Sequence, residues 1–183
     1  PISRGRDPLR TPVNELDATS YASCQGTAVT ITAVDQSGLN NLDYVWTLDG
    51  NVIPGADQSS ISATDAGAYA VEVTDSQTGC AYTSASSTLA VEATPVVTVS
   101  AQGNTTFCAD GSVVLDAGND PNLSYQWFLD GNAISGATAS SLTADSTGTY
   151  TVVATSTGGC ASAPSNSTDV TENPIPAEPV ITQ

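Results

Sequence analysis

Histidine, methionine and lysine are absent from this chain of 183 residues, and its bases are Arg4, Arg6 and Arg10 alone. Without histidine, neither a Ser-His-Asp nor a Cys-His relay for nucleophilic catalysis can be built. No Gly-rich phosphate loop or dinucleotide fingerprint occurs. No apolar run approaches the roughly 20 residues of a membrane-spanning helix, and no segment reads as a signal peptide. Positive charge is confined as well as scarce. Residues 1–11 carry three Arg and one Asp, while residues 12–183 hold 18 acids and no base, for a net charge of −16 overall. A body of that sign repels phosphate, which excludes nucleic acid and anionic lipid as partners and argues against membrane insertion.

What the chain does have is a copy of itself. Trp46-Thr47-Leu48-Asp49-Gly50-Asn51 returns as Trp127-Phe128-Leu129-Asp130-Gly131-Asn132, and residues 46–73 and 127–154 agree at 14 of 28 positions without a gap. Flanking markers keep a similar spacing, Cys24 to Cys108 and Pro12 to Pro95. Such closeness means duplicated modules of roughly 84 residues. The boundaries read as an extended basic arm at 1–11, a first domain at 12–94, a second at 95–173, and a tail at 174–183. In the tail, Pro179-Val180-Ile181-Thr182 resembles Pro95-Val96-Val97-Thr98. It reads as the first strand of a further repeat, or as a strand exchanged with another molecule. The short junction 91–96 carries Pro95 and no glycine, which predicts a stiff, extended pair.

Periodicity is that of strands. Val29, Ile31 and Ala33 alternate with threonines; Tyr69, Val71 and Val73 alternate with Ala70 and Glu72; the second copy repeats both patterns. Alternation of this kind, rich in Val and Thr, argues half-buried antiparallel strands. Asp49-Gly50 and Asp130-Gly131 suit tight hairpins. About seven strands per unit and no helix beyond a turn predict an all-β fold of two antiparallel sandwiches. Four cysteines permit three pairings. The repeat selects Cys24–Cys80 and Cys108–Cys160, one staple in each small core. Zinc is the rival reading, weakened by the absence of histidine and of any CxxC. Disulfides imply an oxidising compartment.

Two motifs carry a resemblance. Asp65-Ala66-Gly67-Ala68-Tyr69 looks like the tyrosine corner of immunoglobulin-type sandwiches, with Asp145 to Tyr150 as its copy. Trp46 and Trp127 resemble the core tryptophan of that fold, so Trp46, Tyr69, Trp127 and Tyr150 are expected to centre the two cores. The family's second core cysteine would stand two residues after the tyrosine, where this chain has Val71 and Val152. Its cysteines come later, in Thr78-Gly79-Cys80 and Gly158-Gly159-Cys160. That layout is similar to the tandem Ig-like repeats of Bacteroidetes-type cell-surface adhesin and fibre proteins. The resemblance implies a non-enzymatic, extracellular or cell-surface module of a structural or adhesive fibre. Its partners would be neighbouring copies or adjacent repeats, with surface glycans as a further class. The alternative is an accessory carbohydrate-binding module of a secreted polysaccharide-active enzyme.

Finer expectations concern contacts. Arg4, Arg6 and Arg10 suit bidentate pairing with carboxylates on a neighbouring subunit. Val180 and Ile181 would add to an exposed sheet edge. Phe128, next to a core tryptophan, is expected to face outward as an exposed contact, whereas Tyr21, Tyr82 and Phe107 are too few for a sugar platform. No cofactor is expected. Calcium stays open, because loop acids such as Asp35, Asp57, Asp110 and Asp120 offer hard oxygens, yet no EF-hand spacing occurs.

Overall fold

The computed structural model describes residues 14–177. The arm, with Arg4, Arg6 and Arg10, and the tail positions Val180 and Ile181 lie outside the described residues. The chain divides into two compact units, one ending at Glu92 and one beginning at Ala93.

Unit 1 contains β1 (Asn14–Leu16), β2 (Ser20–Cys24), β3 (Val29–Asp35), β4 (Leu42–Leu48), β5 (Asn51–Val52), β6 (Ser60–Ala63), β7 (Gly67–Asp75), β8 (Ala81–Thr83) and β9 (Ser87–Glu92). Unit 2 contains β10 (Ser100–Ala101), β11 (Thr106–Cys108), β12 (Val113–Asp116), β13 (Leu123–Leu129), β14 (Asn132–Ala133), β15 (Ser141–Ala144), β16 (Gly148–Ser156) and β17 (Thr168–Asn173). No helix occurs among the described residues. The smaller sheets run β1-β3-β6 and β10-β12-β15; the larger run β2-β9-β7-β4-β5, with β8 also on β7, and β11-β17-β16-β13-β14. Each unit is thus an all-β, immunoglobulin-like sandwich of two sheets.

The labelled strands outnumber the expected seven for physical reasons. The first segment of each unit leaves the small sheet and joins the large one, so it counts twice, as β1 and β2 or as β10 and β11. The Asp-Gly hairpins add the two-residue strands β5 and β14. Where unit 1 adds β8, unit 2 has an isolated bridge, Thr155 to Ala161.

Each core is built on one long pairing. β4 runs antiparallel to β7 with Trp46 opposite Val71, and β13 to β16 with Trp127 opposite Val152. Period-two alternation sends Tyr69, Val71 and Val73 inward and leaves Glu72 in solvent. Trp46 and Trp127 are fully buried, and each indole N–H donates to a backbone carbonyl, Gln58 O at 2.8 Å and Ala139 O at 2.9 Å. A buried indole therefore leaves no polar atom unpaired. Tyr69 and Tyr150 are nearly as buried, and their hydroxyls donate to Asp65 O at 2.8 Å and Ser146 O at 3.0 Å. These bonds, four residues back along the chain, are tyrosine corners.

The hairpins lock to the corners. Asp49 and Gly50 have φ of 50° and 80°, as a two-residue turn of the I′ kind demands. Asp49 Oδ1 then accepts the Ala68 N–H at 2.9 Å, and Asp130 Oδ1 accepts that of Thr149 at 2.9 Å. This close approach explains Gly67, where a Cβ would fall 2.4 Å from Leu48 Cδ1; at Gly148 it would meet Leu129 Cδ1 at 2.4 Å.

The sandwiches are antiparallel as expected except for one parallel edge pairing per unit. β2 lies parallel to β9 from Ser20–Thr88 to Cys24–Glu92, and β11 parallel to β17 from Thr106–Thr171 to Cys108–Asn173. The first and last strands of each unit are therefore neighbours running the same way. Each unit admits its chain at one pole, the entry pole, and releases it at the opposite exit pole.

The two units have separate core clusters, one around Trp46 and one around Trp127. Trp46→Ala is expected to cost unit 1 about 3–5 kcal/mol. Denaturant unfolding followed by circular dichroism should split into two transitions, with the fluorescence midpoint of Trp127 unmoved.

Candidate functional site

The chemistry-bearing residues of the chain gather at the poles, and strand register says which pole holds which. At the end of β2, Cys24 is the Cα partner of Glu92. β9 pairs with β7 through Leu89–Gly67, so Glu92 stands level with residue 64, at the exit pole. Cys80 sits at the other end, its carbonyl accepting the Asp75 N–H at 2.9 Å. Eleven residues of β7 direction, 64 to 75, separate the two levels, roughly 36 Å at about 3.3 Å per residue. Unit 2 repeats this layout. Cys108 is paired with Asn173, level with residue 145, while the Cys160 carbonyl accepts the Ser156 N–H at 2.9 Å.

The expected bridges Cys24–Cys80 and Cys108–Cys160 are therefore corrected. A disulfide needs Cα atoms about 4.4–6.8 Å apart, several-fold less than this pole-to-pole distance. Cys80 and Cys108 are free thiols, half-buried and exposed respectively, while Cys24 and Cys160 are each disulfide-bonded. Cys80 precedes the short β8, and the last strand begins only at Ser87.

Both thiols sit on built turns. At the entry pole of unit 1, Asp75 Oδ1 accepts the Gln77 N–H at 3.0 Å, its Oδ2 accepts the Thr78 hydroxyl at 2.8 Å, and its carbonyl accepts the Gly79 N–H at 2.7 Å. At the exit pole of unit 2, Ala109 N–H donates to Asn173 O at 2.7 Å and Gly111 N–H to Cys108 O at 2.9 Å. The same turn follows Cys24, where Thr27 N–H donates to Cys24 O at 2.9 Å. Gly26 and Asp110, at the same place in these turns, have φ of 81° and 67°.

Aromatic side chains form no platform among the described residues. Phe128, expected to be exposed, is only half-buried, because β14 and β16 flank it through Ala133 and Thr151. Phe107 and Tyr21 pack against their cores. Tyr82 is exposed, at 37%. An open, polar hollow of about 370 Å³ lies in unit 1, lined by Asp35, Asn40, Tyr44, Asp57 and Gln58 among others. Burial, then the charge of Asp35, pushes Tyr44 above the usual tyrosine value.

The acids are mostly occupied. Besides Asp49, Asp75 and Asp130, Asp35 Oδ1 accepts the Ser37 N–H at 2.7 Å, Asp116 Oδ1 that of Gly118 at 2.9 Å, and Asp120 Oδ1 that of Asn122 at 2.9 Å. Each closes a turn two residues on. Among the described residues no three acids, cysteines or histidines converge as a metal site would require.

Among known proteins, residues 93–174 match the family described as Ig-like domain, CHU_C associated. No curated protein matches the chain. Solved structures with related folds include the three N-terminal domains of the bacteriophage RB49 highly immunogenic outer capsid protein, at 22% identity and a TM-score of 0.43 over 88% of this chain and 59% of that one. The fibronectin(III)-like modules of Clostridium thermocellum CbhA give 13% identity and 0.48 over 93% and 100%. The Bacteroides ovatus SGBP-B, solved with a mixed-linkage heptasaccharide, gives 16% and 0.33 over 82% and 42%. This chain thus spans less than two thirds of the phage and Bacteroides structures.

Tyr21 and Asp17 give unit 1 a measurable signature. The Tyr21 hydroxyl donates to Asp17, which also accepts the Thr32 N–H at 2.8 Å. Burial, then the bond to Asp17 and its charge, pushes Tyr21 from 10.0 up to about 12. Burial opposes the Asp17 carboxylate, but the bonds from Tyr21 and Thr32 outweigh it and hold Asp17 below its usual 3.8. Tyr21 is therefore raised on folding, and its contribution is whole below pH 10 and lost as pH climbs through 12. Asp17 is depressed, and its contribution is present above about pH 4 and lost as pH falls through the lowered value. In Tyr21→Phe, chemical melts of unit 1 between pH 10 and 12 should fall less steeply than in the wild type. A residual slope is expected from Tyr44 and Tyr69, which are also raised.

Proposed function

We propose that the chain is a non-enzymatic structural repeat module of an extracellular bacterial surface fibre, transmitting load from unit to unit. The observation that carries this reading is the parallel pairing of first and last strands in each sandwich. Tension on the two ends of a unit pulls β2 toward the entry pole and β9 toward the exit pole. Parallel neighbours pulled in opposite directions slide along each other, so their hydrogen bonds are loaded together. An antiparallel pair pulled from adjacent ends would peel one bond at a time. The clamp in unit 1 spans Ser20 to Cys24, and that in unit 2 spans Thr106 to Cys108.

Composition supports the same reading. The chain carries no histidine, its acids serve turns, and no deep cleft gathers catalytic groups among the described residues. The cell-surface location rests on the resemblance to Bacteroidetes-type repeats, on the match of unit 2 to the Ig-like family, and on oxidised cysteines. The carbohydrate-binding reading draws on the polar hollow around Tyr44, whose hydroxyl, carboxylates and amides are the groups that hold sugars. Immunogold labelling of native cells separates the two. Antibody to the chain should decorate fibres, and a glycan array should stay blank. Saturable glycan binding that Tyr44→Ala abolishes, without fibre labelling, would replace the structural reading.

Single-molecule pulling tests the clamp. Gln25 N–H donates to Glu92 O at 2.8 Å, at the end of β2, and Gln25 is the second residue of a turn, where proline fits. Gln25→Pro should lower equilibrium stability by only about 0.5–1.5 kcal/mol. It should lower the rupture force of unit 1 when the chain is pulled from its ends with the Cys24 disulfide reduced, and leave unit 2 as it was. Equal rupture forces in wild type and variant would show that β2 and β9 bear no load.

A further inference from the structure

We infer that Cys108 of one copy of this chain and Cys80 of the next form an intermolecular disulfide, making a covalent head-to-tail polymer. The argument begins with four cysteines in two equivalent pairs. Cys24 and Cys108 close the strand beside the exit of their units; Cys80 and Cys160 lie in the turn after the long central strand, at the entry pole. Within a unit the two are roughly 36 Å apart by register and cannot meet. Yet one exit-pole cysteine, Cys24, and one entry-pole cysteine, Cys160, are disulfide-bonded. The two thiols left over are again one of each kind, the exit-pole Cys108 and the entry-pole Cys80.

Neither thiol stands alone as a chance surface cysteine, because each has a repeat-equivalent that is oxidised. Each also sits where a bridge needs it, on a fixed turn away from the core clusters. The Thr78 hydroxyl, itself bonded to Asp75, accepts the Cys80 N–H at 3.4 Å. Cys108 is exposed, and its carbonyl and the Phe107 ring leave no room for a Cβ at Gly111, so that turn is closely packed. A contact between an exit pole and an entry pole is heterologous, and its repetition gives an open filament rather than a closed ring.

Closing the bridge removes two thiol protons and two electrons. A small-molecule disulfide such as glutathione disulfide takes up both. One protein thiolate attacks it, forming a mixed disulfide and releasing one glutathione thiolate. The second protein thiolate then attacks the protein sulfur of that mixed disulfide, forming the Cys108–Cys80 bond and releasing the other.

This inference deepens the fibre reading and rests on it, and the test separates the two. The full chain is incubated with glutathione disulfide and run on non-reducing gels, with peptide mapping by mass spectrometry. The expected result is a ladder that dithiothreitol collapses to monomer, and a cross-linked peptide joining Cys80 to Cys108. Cys80→Ser alone and Cys108→Ser alone should stay monomeric, and their mixture should stop at dimer. Both variants should keep wild-type tryptophan fluorescence, since neither side chain belongs to a core cluster. Monomer throughout in the wild type, or symmetric Cys80–Cys80 and Cys108–Cys108 dimers in the single variants, would overturn the bridge. Native fibres labelled by antibody that persist in dithiothreitol, together with such a failure, would leave the fibre reading standing. A ladder from a chain absent from fibres would do the reverse.

Discussion

Everything in each unit follows from one antiparallel pairing, β4 with β7 in the first and β13 with β16 in the second. It runs over seven residue pairs, from Leu42–Asp75 to Leu48–Tyr69 in unit 1. It sets the tryptophan against a valine at the centre, and it brings the Asp-Gly hairpin over the glycine inside the tyrosine corner. It also gives the sandwich its length, because β7 and β16 are the longest strands and reach toward both poles. The distance between cysteines, and the side on which the chain enters and leaves, are consequences of that length.

Much of this was legible in the sequence because it is local. The Asp49-Gly50 turn and the Asp65-to-Tyr69 corner are each written in a few consecutive residues, Trp46 stands just ahead of the turn, and the repeat doubles the signal. Alternation along 69–73 named the inward side chains. The parallel edge was not legible. It joins Ser20 to Thr88, and nothing in either segment specifies a partner so distant or its direction. The cysteine error came from the same gap. Repeat logic says that Cys24 and Cys108 are equivalent, and that Cys80 and Cys160 are equivalent. It cannot say whether unlike cysteines pair inside a unit or across to another, which only strand register decides. Phe128 failed more modestly. Its alternation with Trp127 was read correctly, but the outer face there is partly covered by β14 and β16.

The acidic composition also changes meaning once the turns are seen. A row of loop aspartates looked like a reservoir of metal ligands. In the fold, Asp35, Asp75, Asp116 and Asp120 each accept the backbone N–H two residues on in a turn, and Asp49 and Asp130 accept the strand N–H groups of Ala68 and Thr149. Aspartate is spent here on shape, and its charge is a by-product. With 18 acids and no base in residues 12–183, that by-product opposes association between copies, most strongly at low salt.

That repulsion gives the polar cysteines a physical role that a buried staple would not have. Among the described residues no exposed aromatic platform and no base offers a partner surface. A covalent bond between poles needs only a transient encounter and then persists regardless of charge. It would also change the path of force. The backbone from Cys80 to Cys108 runs through β8, β9, β10 and β11, and neither β2 nor β17 lies on it. Tension passed through the proposed bridges would therefore travel along covalent chain, and the parallel β2–β9 and β11–β17 edges would not be sheared. Tension applied at the chain ends would load β2 and β17 instead, so bridges and clamps answer to different points of attachment.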